Sequence, residues 1–293
     1  MTDYIIKSRE RDLGGFVIHR SLPAAKKRQV GPFVFLDHIG PVGIDDRHAM
    51  DVRPHPHIGL ATVTYFFKGR GYHRDSLGSE QLIEPGSINL MTAGRGIVHS
   101  ERTPQEDRRK MSGLTMHGVQ IWVGLPKDQE ECEPEFKHYP KAVLPEIQFE
   151  QGLKAKLMIG TYENHSSPVV TKSRMLFMDI FSEIKREKVF SFQEKELALF
   201  LVSGHAIVND QNLVVDDLIV ISDPKNIKIQ LFTDTRFIVV GGDPFPEERY
   251  LYWNFVSSSK ERLRKAAEDW KNQRFPKVPG ETEFVPLPDG PLP

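Results

Sequence analysis

Apolar and polar positions alternate in short runs along most of the chain. The runs are rich in Val, Ile and aromatic residues and are closed by Gly, Pro, Asn or Asp. This pattern predicts strands over 60–67 (LATVTYFF), 119–125 (VQIWVGL), 176–181 (LFMDIF), 197–204 (LALFLVSG), 218–222 (LIVIS) and 237–242 (FIVVGG). A helical period appears only late. In SSKERLRKAAEDWKNQ, Leu263, Ala266, Ala267 and Trp270 share one face at i, i+3, i+4 and i+7. Ser258 and Glu261 have the spacing of a capping box just ahead of that stripe. Many short strands and one terminal helix predict an all-β chain of barrels or sandwiches.

Between 126 and 150 the chain turns rich in Pro and charge (PKDQEECEPEFKHYPKAVLPEIQFE), as expected of a linker between two β modules. The expected division is 1–135, 136–245, and a helix with a Pro-rich tail over 246–293. The two halves repeat at the level of architecture. YFFKGRGYHRDSLGSEQLIEPGSINLMTAG and FLVSGHAIVNDQNLVVDDLIVISDP each read as strand, Gly turn, strand, polar turn, strand. The tail from 272 holds too many prolines for regular structure and reads as either packed along a surface or frayed.

Composition narrows the class. A chain of 293 residues with 39% hydrophobic and 27% charged content is globular and can bury a sizeable core. A formal net charge of −1 and the absence of a long basic block argue against direct nucleic-acid binding, the mixed run EDRRK (106–110) reading as a solvated loop. One cysteine, Cys132, excludes an intrachain disulfide, and the carboxylates of QEECEPE would suppress its thiolate. No apolar run approaches membrane-spanning length and the first residues lack a signal core, so the expectation is a cytoplasmic protein without a membrane partner.

The candidate chemistry lies in two stretches. RPHPHIGLATVTYFF opens a strand with His55 and His57, whose i, i+2 spacing points both imidazoles to one side, the proline between them suiting a strand start or edge. MTAGRGIVHSERTP carries His99 and Glu101 with the same spacing, behind Gly94 and Gly96, which allow the turn that feeds the pair inward. Either pair alone could be surface turn and edge residues. Facing each other inside a barrel, they supply three imidazoles and a carboxylate, with coordination positions left open for catalysis on Fe(II), Mn, Co, Ni, Cu or Zn. His73 and Asp75 also have i, i+2 spacing and are expected either to hold a ligand imidazole or to be ordinary turn polar groups. His117 and Gln120 flank a strand entering the same barrel and are candidate pocket residues. Met91 and Trp122 read as core, His38 as a rim residue and His205 as a turn residue.

The order HPH, GLATVTY, HRDSLGS, EPGSINLMTAGRGIVHSE, with FVFLDHIGP before and HGVQIWVGLP after, resembles the pirin family of the cupin superfamily. The likeness extends to ERYLYWNFVSSSKERLRKAAEDW, which looks like the bacterial branch. It implies a bicupin of two β-barrel (double-stranded β-helix) domains with one metal, usually iron, held in the N-terminal barrel by His55, His57, His99 and Glu101. It implies two functions. One is a dioxygenase that opens flavonols such as quercetin with O2 and releases carbon monoxide, Glu101 acting as general base on an aromatic small-molecule substrate. The other is a redox-sensitive regulator with a protein partner, a transcription factor or a metabolic enzyme. A metal-dependent isomerase or hydrolase is a third reading. Where many pirins have Arg and Glu after the histidine pair, this chain has Ile58 and Ala61, which predicts a less polar lining beside the metal.

Overall fold

Each of the six predicted runs is a strand in the computed structural model, which describes residues 2–12, 17–44, 49–109 and 113–292: Leu60–Lys68, Thr115–Gly124, Met175–Ser182, Glu196–Ser203, Asp217–Ile221 and Thr235–Gly242. The chain is all-β, with two pairs of a seven-stranded and a four-stranded sheet as expected of a bicupin, and a C-terminal helix, Lys260–Lys271. It forms two compact units, but not at the boundaries expected from composition. One unit gathers Met1–Arg11, His19–His38 and Tyr139–Phe245; the other gathers Asp12–Ile18, Ile39–His138 and Pro246–Pro293. The exchange has a physical cause at each end. Tyr4–Lys7 adds an antiparallel strand to Asp217–Ile221, Tyr4 opposite Val220 and Lys7 opposite Asp217, with Lys7 Nζ donating to Asp217 at 2.8 Å. The last segment buries its apolar side on Ile58 and Val98, within the unit it joins.

The unit ending at Phe245 has a seven-stranded and a four-stranded sheet. Its inward positions are apolar in every layer: Leu176, Met178 and Ile180 on one strand, Leu197, Leu199 and Leu201 on the next, Ile227, Ile229 and Leu231 on the smaller sheet. This barrel is filled. The linker expected over 126–150 is more ordered than its composition suggests, since Glu135–Tyr139 and Glu146–Glu150 are strands. In the stretch EDRRK, residues up to 109 belong to a short helix, Gln105–Arg109, and Lys110 lies outside the described residues.

The other unit repeats the plan. Its smaller sheet runs Asp51–His57, Ile97–Arg102, Gly71–Asp75, Glu80–Ile83; in its larger sheet Glu135–Tyr139, Ile88–Thr92, Leu60–Lys68 and Thr115–Gly124 are successive neighbours. The C-terminal helix covers it with the predicted stripe, Leu263, Ala266, Ala267 and Trp270 all buried. Its cap is Ser259, one residue later than expected, because the Ser258 backbone N–H is taken by Glu130 at 2.9 Å, leaving Ser259 Oγ to accept from Arg262 N. The Pro-rich tail is packed along the surface. Val285 N donates to Pro54 O at 2.8 Å, Trp270 Nε1 to Val285 O at 3.0 Å, and Arg102 Nη2 to Glu281 at 2.7 Å.

Candidate metal centre

Directly opposed residues of an antiparallel pair project to one face. His99 lies opposite His55 on one side and Asp75 on the other, and Glu101 lies opposite His73. With His57 two residues from His55, six polar side chains therefore share the inward face of the four-stranded sheet. The register slips between His99 and Glu101, Glu101 pairing with Val52, so the 51–57 strand carries one extra residue beside Ser100. Pro54, which has no N–H to give the ladder, sits in that bulge. On the other approach, Gly94 has φ +51°, and a Cβ there would lie 2.0 Å from the Cys132 carbonyl oxygen. Only glycine fits the turn that leads into His99.

His55, His57 and His99 each offer a buried ring nitrogen within 4.8 Å of the other two. His55 Nδ1 faces the Arg53 carbonyl at 2.9 Å, and His57 Nδ1 faces the Asn254 carbonyl at 3.1 Å. A carbonyl only accepts, so both rings carry their proton on Nδ1 and turn the Nε2 lone pair inward. His57 Nε2 and His99 Nε2 are 3.1 Å apart. Two nitrogens sharing a cation at about 2.1 Å and at right angles would be about 3.0 Å apart. Burial lowers the pKa of His55 to about 4 and holds His57 and His99 well below the ordinary histidine value. The set is thus neutral at pH 7, as ligation requires. Three such imidazoles could hold a divalent transition metal.

Glu101 stands outside this group of three. Its Oε1 lies 3.1 Å from Thr64 Oγ1, and Thr64 Oγ1 is 2.8 Å from Gln120 Oε1. A hydroxyl has one proton, so if it donates to Gln120 the other contact needs a proton on Glu101. Burial does raise the Glu101 pKa, against the lowering effects of His73 and of the Thr64 bond. The expected four-ligand set is therefore three imidazoles with a buried carboxyl held beside them by Thr64.

The other predicted residues divide. His73 and Asp75 join the site: His73 Nδ1 is 3.4 Å from His99 Nδ1, and His73 Nε2 is 2.9 Å from Asp75 Oδ2. Gln120 reaches it through Thr64. His117 does not; it packs on the Phe67 ring at 4.9 Å, and Phe67 alternates to the face opposite Thr64. His38 lies 2.6 Å from Asp216 and His205 2.5 Å from Asn212, both in the other unit. Trp122 is buried, as expected of a core residue, and stands edge-on to His57 with ring centres 5.1 Å apart.

The polar lining is richer than Ile58 and Ala61 implied. Ile58 packs with Phe255 and the helix residues Leu263 and Ala266, and Ala61 alternates away from Thr62 and Thr64. A row across the larger sheet supplies polarity instead, with Thr64 opposite Asn89 and Gln120, and Thr62 opposite Met91 and Trp122. Asn89 Oδ1 accepts from His138 Nδ1 at 2.6 Å, while its Nδ2 is buried without a hydrogen-bond partner among the described residues. Thr62, Thr64 and Asn89 were overlooked in the sequence, although two threonines two apart in an apolar strand are polar groups on one face. The Arg53 and Asn254 carbonyls carry no side-chain signal.

Known proteins resemble this chain in sequence and in fold. Residues 15–123 match the Pirin family model and residues 181–276 that of the Pirin C-terminal cupin domain. A pirin-like protein of Caulobacter vibrioides is 39% identical over 99% of this chain and 100% of its own. A Pseudomonas aeruginosa protein with a provisional quercetin 2,3-dioxygenase name is 34% identical over 88% of this chain and 80% of its own. The crystal structure of a quercetin 2,3-dioxygenase from Acinetobacter baumannii superposes with a TM-score of 0.92 at 35% identity, over 99% of this chain and 96% of that one. Two family models in sequence, a relative matched end to end and three histidines converging in the N-terminal cupin barrel lead to one assignment: the chain belongs to the pirin family.

Proposed function

We propose that this pirin is a metal-dependent dioxygenase that opens a flavonol such as quercetin with O2 and releases carbon monoxide. The observation that carries the reading is the convergence of three buried, neutral imidazoles in a barrel whose opposite wall is polar and aromatic. The A. baumannii protein called a quercetin 2,3-dioxygenase, similar over nearly the whole chain, supports it. His55, His57 and His99 would hold the cation, Fe(II) in this reading, with Glu101 as a fourth donor or a neighbouring base. When bound, such a cation supplies Lewis acidity toward the flavonol 3-hydroxyl and access to O2 chemistry.

The remaining work falls to the protein. Glu101, carried on the same sheet face as the histidines and held by Thr64, takes the 3-hydroxyl proton; its burial-raised pKa makes its ionised form the stronger base. Trp122 offers a flat wall beside His57 for an aromatic ring. The Asn89 amide supplies a buried donor with no partner among the described residues. Protein loaded with Fe(II) should consume quercetin aerobically and release CO, and Glu101→Gln should slow this by roughly 10²- to 10⁴-fold. Equal turnover by metal-stripped protein would overturn the proposal.

A further inference from the structure

His99 differs from the other two histidines. His55 and His57 have their tautomers set by carbonyls, whereas His99 Nδ1 faces another ring nitrogen, His73 Nδ1, at 3.4 Å. Nothing in that contact says which ring donates. The answer lies one bond further on. His73 Nε2 meets Asp75 Oδ2 at 2.9 Å, and the other carboxyl oxygen, Oδ1, accepts the backbone N–H groups of Leu77 at 2.9 Å and Ser79 at 3.0 Å. Phe136 stacks on the His73 ring with centres 4.2 Å apart and planes 13° apart, which fixes the ring plane.

We infer that Asp75, acting through His73, is a positioning residue that places the His99 proton on Nδ1 and so keeps the His99 Nε2 lone pair aimed at the site. An ionised carboxylate only accepts, so His73 must carry its proton on Nε2. In the neutral His73 ring Nδ1 is then an acceptor, and the buried His99 Nδ1 is the donor. His99 Nε2, 3.1 Å from His57 Nε2, is left as a lone pair. Three Nε2 lone pairs then converge, each set by a different partner: the Arg53 carbonyl, the Asn254 carbonyl and the Asp75 carboxylate. The loop that holds Asp75 thus acts on His99 from two residues away. The inference rests on the reading of the three histidines as metal ligands for its consequence, but not for the tautomer itself.

Asp75→Asn provides the test. Its Oδ1 can still cap Leu77 and Ser79, which directs its amide Nδ2 at His73 Nε2. An amide nitrogen only donates, so His73 must move its proton to Nδ1, and His99 must move its own to Nε2, onto the metal face. The conserved caps should leave the unfolding midpoint little changed. In metal-free protein labelled with 15N-histidine, NMR should show His99 as the Nδ1–H tautomer in the wild type and as Nε2–H in Asp75→Asn. Divalent-metal Kd, read by competition with a chromogenic chelator, should rise about 10- to 100-fold in Asp75→Asn. His73→Phe, which keeps the stack on Phe136 but removes the acceptor, should weaken binding similarly. A wild-type His99 protonated on Nε2, or unchanged metal affinity in both variants, would overturn the inference. The expected tautomers in a wild type that binds no metal would instead overturn the metal-site reading and leave the proton chain standing.

Discussion

A buried imidazole is a good metal ligand only if it stays neutral and if its inward nitrogen is free. Burial secures the first for His55, His57 and His99, and acceptors on their far sides govern the second. The same burial has a cost in acid. His55 has an ordinary pKa near 6.5 when unfolded and about 4 when folded. Between those values the unfolded chain binds the extra proton, so stability falls as pH falls through the window, from this residue by on the order of 3 kcal/mol at the acid end. Denaturant titrations of metal-free protein should therefore weaken from pH 6.5 to 4, and His55→Asn should flatten that slope; an equal slope in the variant would contradict this origin. The residue pairs were legible because strand alternation groups i and i+2. Strand alternation also put Glu101 on the histidines' face, but spacing says nothing about the Thr64 hydroxyl that contacts its carboxyl.

At the scale of elements, the C-terminal segment is a structural part of the histidine-bearing unit. Its helix buries Trp270 against Phe275 and beneath the tail, and its Asn254 carbonyl orients His57. Trp270→Ala should cost about 3–5 kcal/mol in chemical denaturation, as expected for a large aromatic lost from a packed site. Ser259→Ala should cost about 1 kcal/mol and Ser258→Ala should not act as a cap loss, which separates the observed cap from the one that spacing suggested. The tail is held by charge as well as packing. Burial would raise the Glu281 pKa, but Arg102 and Ser100 lower it below the ordinary value. A depressed carboxyl stabilises above its unfolded pKa, and that contribution is lost as pH falls through the lower, folded value. Hydrogen-exchange protection over 276–292, taken relative to the unstructured chain at the same pH, should fall in acid for the wild type and already be reduced at neutral pH for Glu281→Gln. The strands and the helical stripe were readable from period alone; the tail was not, because its ties run from backbone groups and from side chains almost two hundred residues away.

Across the whole molecule, one plan is used twice with opposite interiors. The unit ending at Phe245 fills its barrel with Leu, Ile, Met, Phe and Val, whereas the other lines its barrel with histidines, Glu101, Asp75, threonines, Asn89 and Gln120. Buried polar groups at that density are costly unless they bind each other or a ligand, so the candidate site belongs to the polar barrel. Sequence repetition revealed the duplicated plan, and the His-x-His pair marked the copy that carries the histidine cluster. It could not reveal that the first strand and the last segment are exchanged between units, since pairing partners 200 residues apart leave no local pattern. The most direct measurement is anomalous diffraction at the metal edge from crystals of protein loaded with one equivalent of Fe(II) under anaerobic conditions. The expected result is a single peak about 2.1 Å from Nε2 of each of His55, His57 and His99; no peak among these nitrogens, or a peak elsewhere in the chain, would contradict the site.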